Sequence, residues 1–231
     1  MNKILDNLTS ISKAFYGLII YFAISFIFSY IINANINNLT YVTYNIILIS
    51  SELITATLLL IIFRKKLLID FKDFDKNYKD YLSVGFKIWI IGFLVMLLSN
   101  YYINLLVPNT SAYNQELNQL AINNYPLYSV ISIVMIGPFI EELVFRFSFK
   151  NNLKSKKMYY LLSVLIFSSL HALNGFNSLY DLLYFIPYGA LAFTFSYIYD
   201  KTDNIFTTVI IHTFHNFIAV LLITMTTFLG G

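Results

Sequence analysis

The sequence predicts an all-α, polytopic transmembrane helical bundle, and three observations carry that prediction. Of 231 residues, 58% are hydrophobic and only 12% are charged, where a soluble domain is nearer half apolar and a quarter charged. Mean hydropathy is +0.68. The apolar residues fall in long continuous runs rather than in short alternating segments, which points to helices and away from a closed barrel. We read the chain as a single membrane domain over residues 1–231, with no separate soluble unit.

The elements follow in order. Ile4, Leu5, Leu8 and Ile11 share one face, so residues 1–12 are expected as a short amphipathic helix on the membrane surface. The first span is expected over 13–33, and the N-terminus before it is too polar for a signal peptide. The second runs over 41–63 and carries Glu52 near its middle. Residues 64–80 hold six basic and four acidic side chains and read as a loop. The third span covers 81–106. Residues 113–123 are amphipathic and are expected to lie along the surface. Pro126 opens the fourth span, ending near 149. The fifth runs over 158–173, the sixth over 179–199, and a polar loop at 200–204 leads to the seventh, 205–229.

Basic residues mark cytoplasmic loops. They occupy the N-terminus, 64–79, 150–157 and Lys201, whereas the segments 34–40, 107–125 and 174–178 contain none. The alternation gives about seven spans with a cytoplasmic N-terminus. The net charge of +3 is thus an orientation signal rather than a nucleic-acid footprint. With no cysteine there is no disulfide, thiolate nucleophile or thiolate metal site. The abundance of Ile, Asn, Lys, Tyr and Phe points to a bacterial source, hence a multi-pass protein of the bacterial cell membrane.

Ionisable groups within apolar runs are costly and need partners. Glu141, Glu142 and Arg146 lie in the fourth span, His171 in the fifth, and His212, His215 and Asn216 in the last; these are the chain's only histidines. At 1.5 Å per residue, Glu141 lies about 13 Å in from its cytoplasmic end, His171 about 20 Å, and His212 and Asn216 about 12 and 18 Å. The three segments therefore carry their ionisable groups to one layer. His212 and Asn216 share a helix face, as do Phe167 and His171. Glu142 and Arg146, also four apart, read as a local pair holding the helix end. Glu141 points about 100° away and is left for a partner across the bundle. Pro138 removes a backbone donor just before it.

Such a set suits the activation of water. A carboxylate beside a neutral histidine, away from bulk water, can act as general base and return the proton to a leaving amine. A further histidine and an amide can stabilise an oxyanion. That is peptide hydrolysis without a Ser or Cys nucleophile. Glu141, His171 and His212 are equally an acceptable set for zinc or another divalent metal, although H-E-x-x-H is absent. Glu52 is expected to pair with a polar group such as Asn100 or with water, and His215 to serve packing. Two other classes fit less well. A non-catalytic immunity or scaffold protein need not keep the set, and a proton-coupled transporter would favour inverted repeats, which the sequence lacks.

Glu-Glu-x-x-x-Arg at 141–146, Phe-x-x-x-His at 167–171 and His-x-x-x-Asn at 212–216 resemble the motifs of the CAAX protease and bacteriocin-processing (Abi) family of intramembrane endopeptidases. The resemblance spans residues 125–220. It implies Glu141 and His171 as the water-activating pair, His212 and Asn216 as the oxyanion-stabilising pair, and Glu142 and Arg146 in support. It implies a membrane-associated peptide or protein as substrate, with the metal question open. Eight spans are often described for that family, one more than expected here, and His215 has no place in its pattern.

Overall fold

A computed structural model describes residues 11–229 apart from 109, 125 and 177. The expected amphipathic helix at 1–12 falls almost entirely outside the described residues. Among the described residues the chain is all helical, with no strand. The helices are α1 (Tyr16–Asn35), α2 (Tyr41–Leu106), α3 (Tyr113–Asn124), a composite helix, α7 (Lys156–Ala172), α8 (Phe185–Thr202) and α9 (Ile205–Leu229). A 3-10 turn, Leu179–Tyr184, leads into α8. The composite runs through α4 (Pro126–Ile131), a π-helical turn (Ser132–Ile136), α5 (Gly137–Glu142), a second π-helical turn (Leu143–Phe147) and α6 (Ser148–Asn152).

Four helical stretches, 16–35, 42–106, 179–202 and 205–225, are long and apolar enough to cross a membrane. Large apolar side chains such as Phe22, Phe26, Ile61 and Leu94 remain exposed on them. In water this would be a liability, but facing hydrocarbon it costs nothing. These helices identify an integral membrane protein.

The segment 64–80, expected as a loop, is helical instead. It joins the second and third expected spans into the 66 residues of α2. A straight helix of that length would measure about 99 Å. It is not straight. Glu52 accepts a hydrogen bond from Ser132, and Trp89 donates to His215. Asn216, next to His215, donates to Ile133, next to Ser132. Two points that a straight helix would hold about 55 Å apart thus meet neighbouring partners. Asn204 donates to the Asp70 carbonyl at 2.7 Å. That bond ties the charged stretch between the two arms of α2 to the turn before α9.

Local chemistry sets the other boundaries. Thr40 caps α2 by accepting from the Thr43 N–H, and Ser155 does so for α7 from Met158. Ser178 and Asp181 form a capping box at the 3-10 turn. The loop expected at 200–204 shortens to a turn. The helix continues to Thr202, and Asp203 adopts a left-handed conformation with φ 50°, closing the helix by donating to Tyr199.

The core lies around the composite helix. Leu143, Val144, Phe145, Phe147 and Phe149 are buried together with Leu59, Tyr159, Phe167, Tyr199 and Ile205. Consecutive buried residues over 142–149 show a segment enclosed on all sides. That enclosure positions the site, because Glu141, Glu142 and Arg146 sit on the same segment.

Candidate active site

Pro138 organises the composite helix. In the first π-helical turn Gly137 donates to the Ser132 carbonyl, five residues back. A Cβ at position 137 would lie 3.1 Å from that oxygen, so glycine permits the approach. The same pattern would pair Ile133 with residue 138, but proline has no N–H. The orphaned carbonyl of Ile133 is met from α9 by Asn216 Nδ2 at 2.8 Å. The expected His212–Asn216 helix face is therefore fixed against the Glu141 helix through a backbone group that Pro138 releases.

The structure brings Glu141, His171 and His212 together. Glu141 Oε1 lies 3.8 Å from His171 Nε2, and its Oε2 lies 3.7 Å from His212 Nε2. His171 Nδ1 donates to the Phe167 carbonyl at 2.8 Å. His212 Nδ1 donates to Glu142 Oε1 at 2.7 Å. A carbonyl or carboxylate on Nδ1 fixes the proton there, so both Nε2 lone pairs face Glu141 when the rings are neutral. The rings are clamped from their faces. Phe167 stacks on His171 with centroids 4.1 Å apart, and Phe195 on His212 at 4.3 Å.

Glu142 departs from expectation. The spacing predicts a local pair with Arg146 and leaves Glu141 for a partner across the bundle. The ion pair exists, with Arg146 Nη1 3.2 Å from Glu142 Oε1. Yet that same oxygen holds His212, so both carboxylates converge on one imidazole. Both lie in the α-helical segment Gly137–Glu142, and His212 sits between them, its Nε2 toward Glu141 and its Nδ1 on Glu142. Glu142 and Arg146 have no exposed side-chain area. The guanidinium face rests 4.3 Å from the Phe167 ring centroid. Glu141 and His171 are partly open, with 22% and 17% of their side chains accessible.

They open onto a cavity of about 690 Å³. His212, His215, Asn216 and Glu52 also line it, and Asn114, Gln115 and Asn118 of α3 add polar groups. Helix α3, expected at the surface, thus borders the cavity. Glu52 finds its partner in Ser132 rather than in Asn100, which lines the same cavity. His215 Nδ1 accepts from Trp89 Nε1 at 3.4 Å and stands edge-on to Phe93 and Phe195.

Glu141, His171 and His212 are donors of the kind zinc takes. Ligands about 2.0–2.1 Å from zinc in a tetrahedral site sit about 3.3 Å from one another, closer than the separations seen here. Among the described residues no group of three or more His, Cys, Asp or Glu side chains is placed to hold a metal ion.

Residues 123–218 match the family model described as type II CAAX prenyl endopeptidase Rce1-like. The match takes in all three motifs, and the resemblance read from them is shown over this segment. The chain is also similar to the UPF0177 protein YxdF of Lactococcus lactis subsp. lactis, at 27% identity over 130 residues, covering 54% of this chain and 70% of that protein. No solved structure matches the chain. The matched family is one of endopeptidases.

Proposed function

We propose that the protein is an intramembrane endopeptidase in which Glu141 and His171 activate water against a peptide bond of a membrane-associated substrate. The observation that carries this reading is the convergence of Glu141 Oε1 and Oε2 on two histidine Nε2 atoms at 3.8 and 3.7 Å, at the wall of the cavity. Three acceptors face one another there. A water placed among them can give one hydrogen to Glu141 and the other to His171 Nε2, leaving an oxygen lone pair for attack.

The water oxygen bonds to the scissile carbonyl carbon, and the water proton passes to Glu141. The carbonyl becomes a tetrahedral oxyanion. His212, with its Nδ1 proton on Glu142, stays neutral and helps Glu141 hold the water, so the oxyanion rests on the Asn216 amide. Asn216 has one amide hydrogen on Ile133 and a second for the oxyanion. Glu141 then returns the proton to the leaving nitrogen as the carbon–nitrogen bond breaks. The enclosed Glu142–Arg146 pair supports His212 and meets no substrate.

The test uses purified protein in detergent or lipid, incubated with membrane-associated peptides, with products read by mass spectrometry. Cleavage by the wild type that is lost in both Glu141→Ala and His171→Ala is the expected result. A chelator arm decides whether a metal takes part. Cleavage that survives in either folded variant would remove that residue from the mechanism.

A further inference from the structure

A second cavity lies away from the Glu141 site, where basic residues of α2 and of the segment before α1 gather. Its volume is about 360 Å³. Lys13, Arg64, Lys65 and Lys66 line it together with Tyr16, Ile62, Phe63 and Phe147, and no carboxylate does. Lys66 is committed to Asp70 at 2.8 Å. Lys13, Arg64 and Lys65 have no acidic partner among the described residues.

Close packing surrounds these cations. Ser148 Oγ donates to the Ala14 carbonyl at 2.8 Å, tying the start of the described chain to α6. Gly17 lets α1 press against the composite helix, since a Cβ there would lie 3.2 Å from the Val144 Cα. Phe15 packs edge-on to Phe149, and Phe63 lies against Phe147 at 5.1 Å between centroids. The start of α1, the middle of α2 and the end of the composite helix therefore meet here, with aromatic and aliphatic walls behind cations that have no acidic partner among the described residues.

An excess of basic residues at one membrane face is expected for orientation alone. Orientation does not require the charges to surround one cavity, nor that cavity to exclude acids. A basic pocket between helices at the membrane boundary matches a phosphate carried on a lipid, whose glycerol and upper acyl chain would lie along the apolar wall.

We propose that this pocket binds the phosphate of an anionic phospholipid headgroup. A free phosphate shares the charge but makes no use of Ile62, Phe63 and Tyr16, so the lipid is the assigned source.

The experiment places the full-length protein in nanodiscs of equal phosphatidylglycerol and phosphatidylcholine and measures retained lipid by native mass spectrometry. The wild type should retain phosphatidylglycerol over phosphatidylcholine by about tenfold or more. The variant Lys13→Gln/Arg64→Gln/Lys65→Gln should lose that preference. Lys72→Gln/Lys76→Gln/Lys79→Gln removes equal charge outside the pocket and should keep it. Equal loss in both variants, or in neither, overturns the proposal. Displacement of the lipid by excess inorganic phosphate overturns the lipid assignment. If the pocket variant does not fold, Lys65→Glu alone is compared with Lys76→Glu. A weaker preference confined to Lys65→Glu supports the pocket, and equal preferences overturn it.

Discussion

Asn216 closes a backbone hydrogen bond for Ile133, 83 residues earlier, at 2.8 Å. The carbonyl is open because position 138 is proline and the ladder around it is π-helical. Removing the amide in Asn216→Ala should cost about 1 kcal/mol, the usual size of an interhelical hydrogen bond in a membrane protein. Pro138→Ala supplies the missing N–H to Ile133. A double-mutant cycle read by thermal unfolding in detergent checks this. The loss from Asn216→Ala should shrink in the Pro138→Ala background, and equal losses in both would break the assignment.

The two adjacent carboxylates should separate by stability. Glu142 faces Arg146 and His212 with no exposed area of its own, so Glu142→Ala leaves a buried guanidinium without its counter-charge. Breaking a buried pair in this way costs about 3–5 kcal/mol. Glu141 is partly open to the cavity and pairs with no permanent cation at hydrogen-bond distance. Thermal unfolding should therefore show Glu142→Ala several degrees below Glu141→Ala, and the opposite order would reverse the two roles.

The positions of the helices were legible because hydropathy tracks them. The edges near 41, 106, 126 and 205 fall within a residue of the helices that form. The helicity of 64–80 was not legible, because a solvated helix and a loop look alike in charge content. The signal available was an absence of breakers, since residues 41–106 contain no proline. Spacing pairs such as Lys66–Asp70 and Asp73–Asn77 support that helix locally. The grouping of Glu141, His171 and His212 followed from depth. The reach of Glu142 to His212 did not, because Arg146 at i+4 already supplies a local partner and spacing along one helix does not show that a single imidazole bridges both carboxylates.

Asp73 couples the charged bend of α2 to the turn before α9. Its carboxylate accepts from Tyr81 at 2.7 Å and from Asn204 at 3.1 Å. Those bonds, Tyr81 first, hold its pKa below the ordinary 3.8. A depressed carboxyl pKa adds stability above the unfolded value, and that stability is lost as pH falls through the folded one. Asp73→Asn should thus lower the unfolding temperature at neutral pH. The gap to wild type should close as pH drops below about 4. A gap that persists unchanged at lower pH would mean that the carboxylate charge is not what links the two segments.

Glu141→Gln isolates chemistry from architecture. The amide keeps the size of the carboxylate but cannot take a proton from water, so peptide cleavage should fall by about 10²–10⁴ in kcat, the usual share of a general base. The fold has little reason to suffer. Glu141 faces two histidine lone pairs at 3.7 and 3.8 Å, an arrangement of acceptors without a donor, and an amide N–H turned toward either Nε2 supplies one. The unfolding temperature should be equal to or above that of the wild type, as expected where a site is built for reaction rather than for stability. Cleavage and unfolding measured on the same preparation check both halves. Reduced cleavage with an equally reduced unfolding temperature would assign Glu141 to the scaffold and leave the proton acceptor to be sought among the other groups lining the cavity.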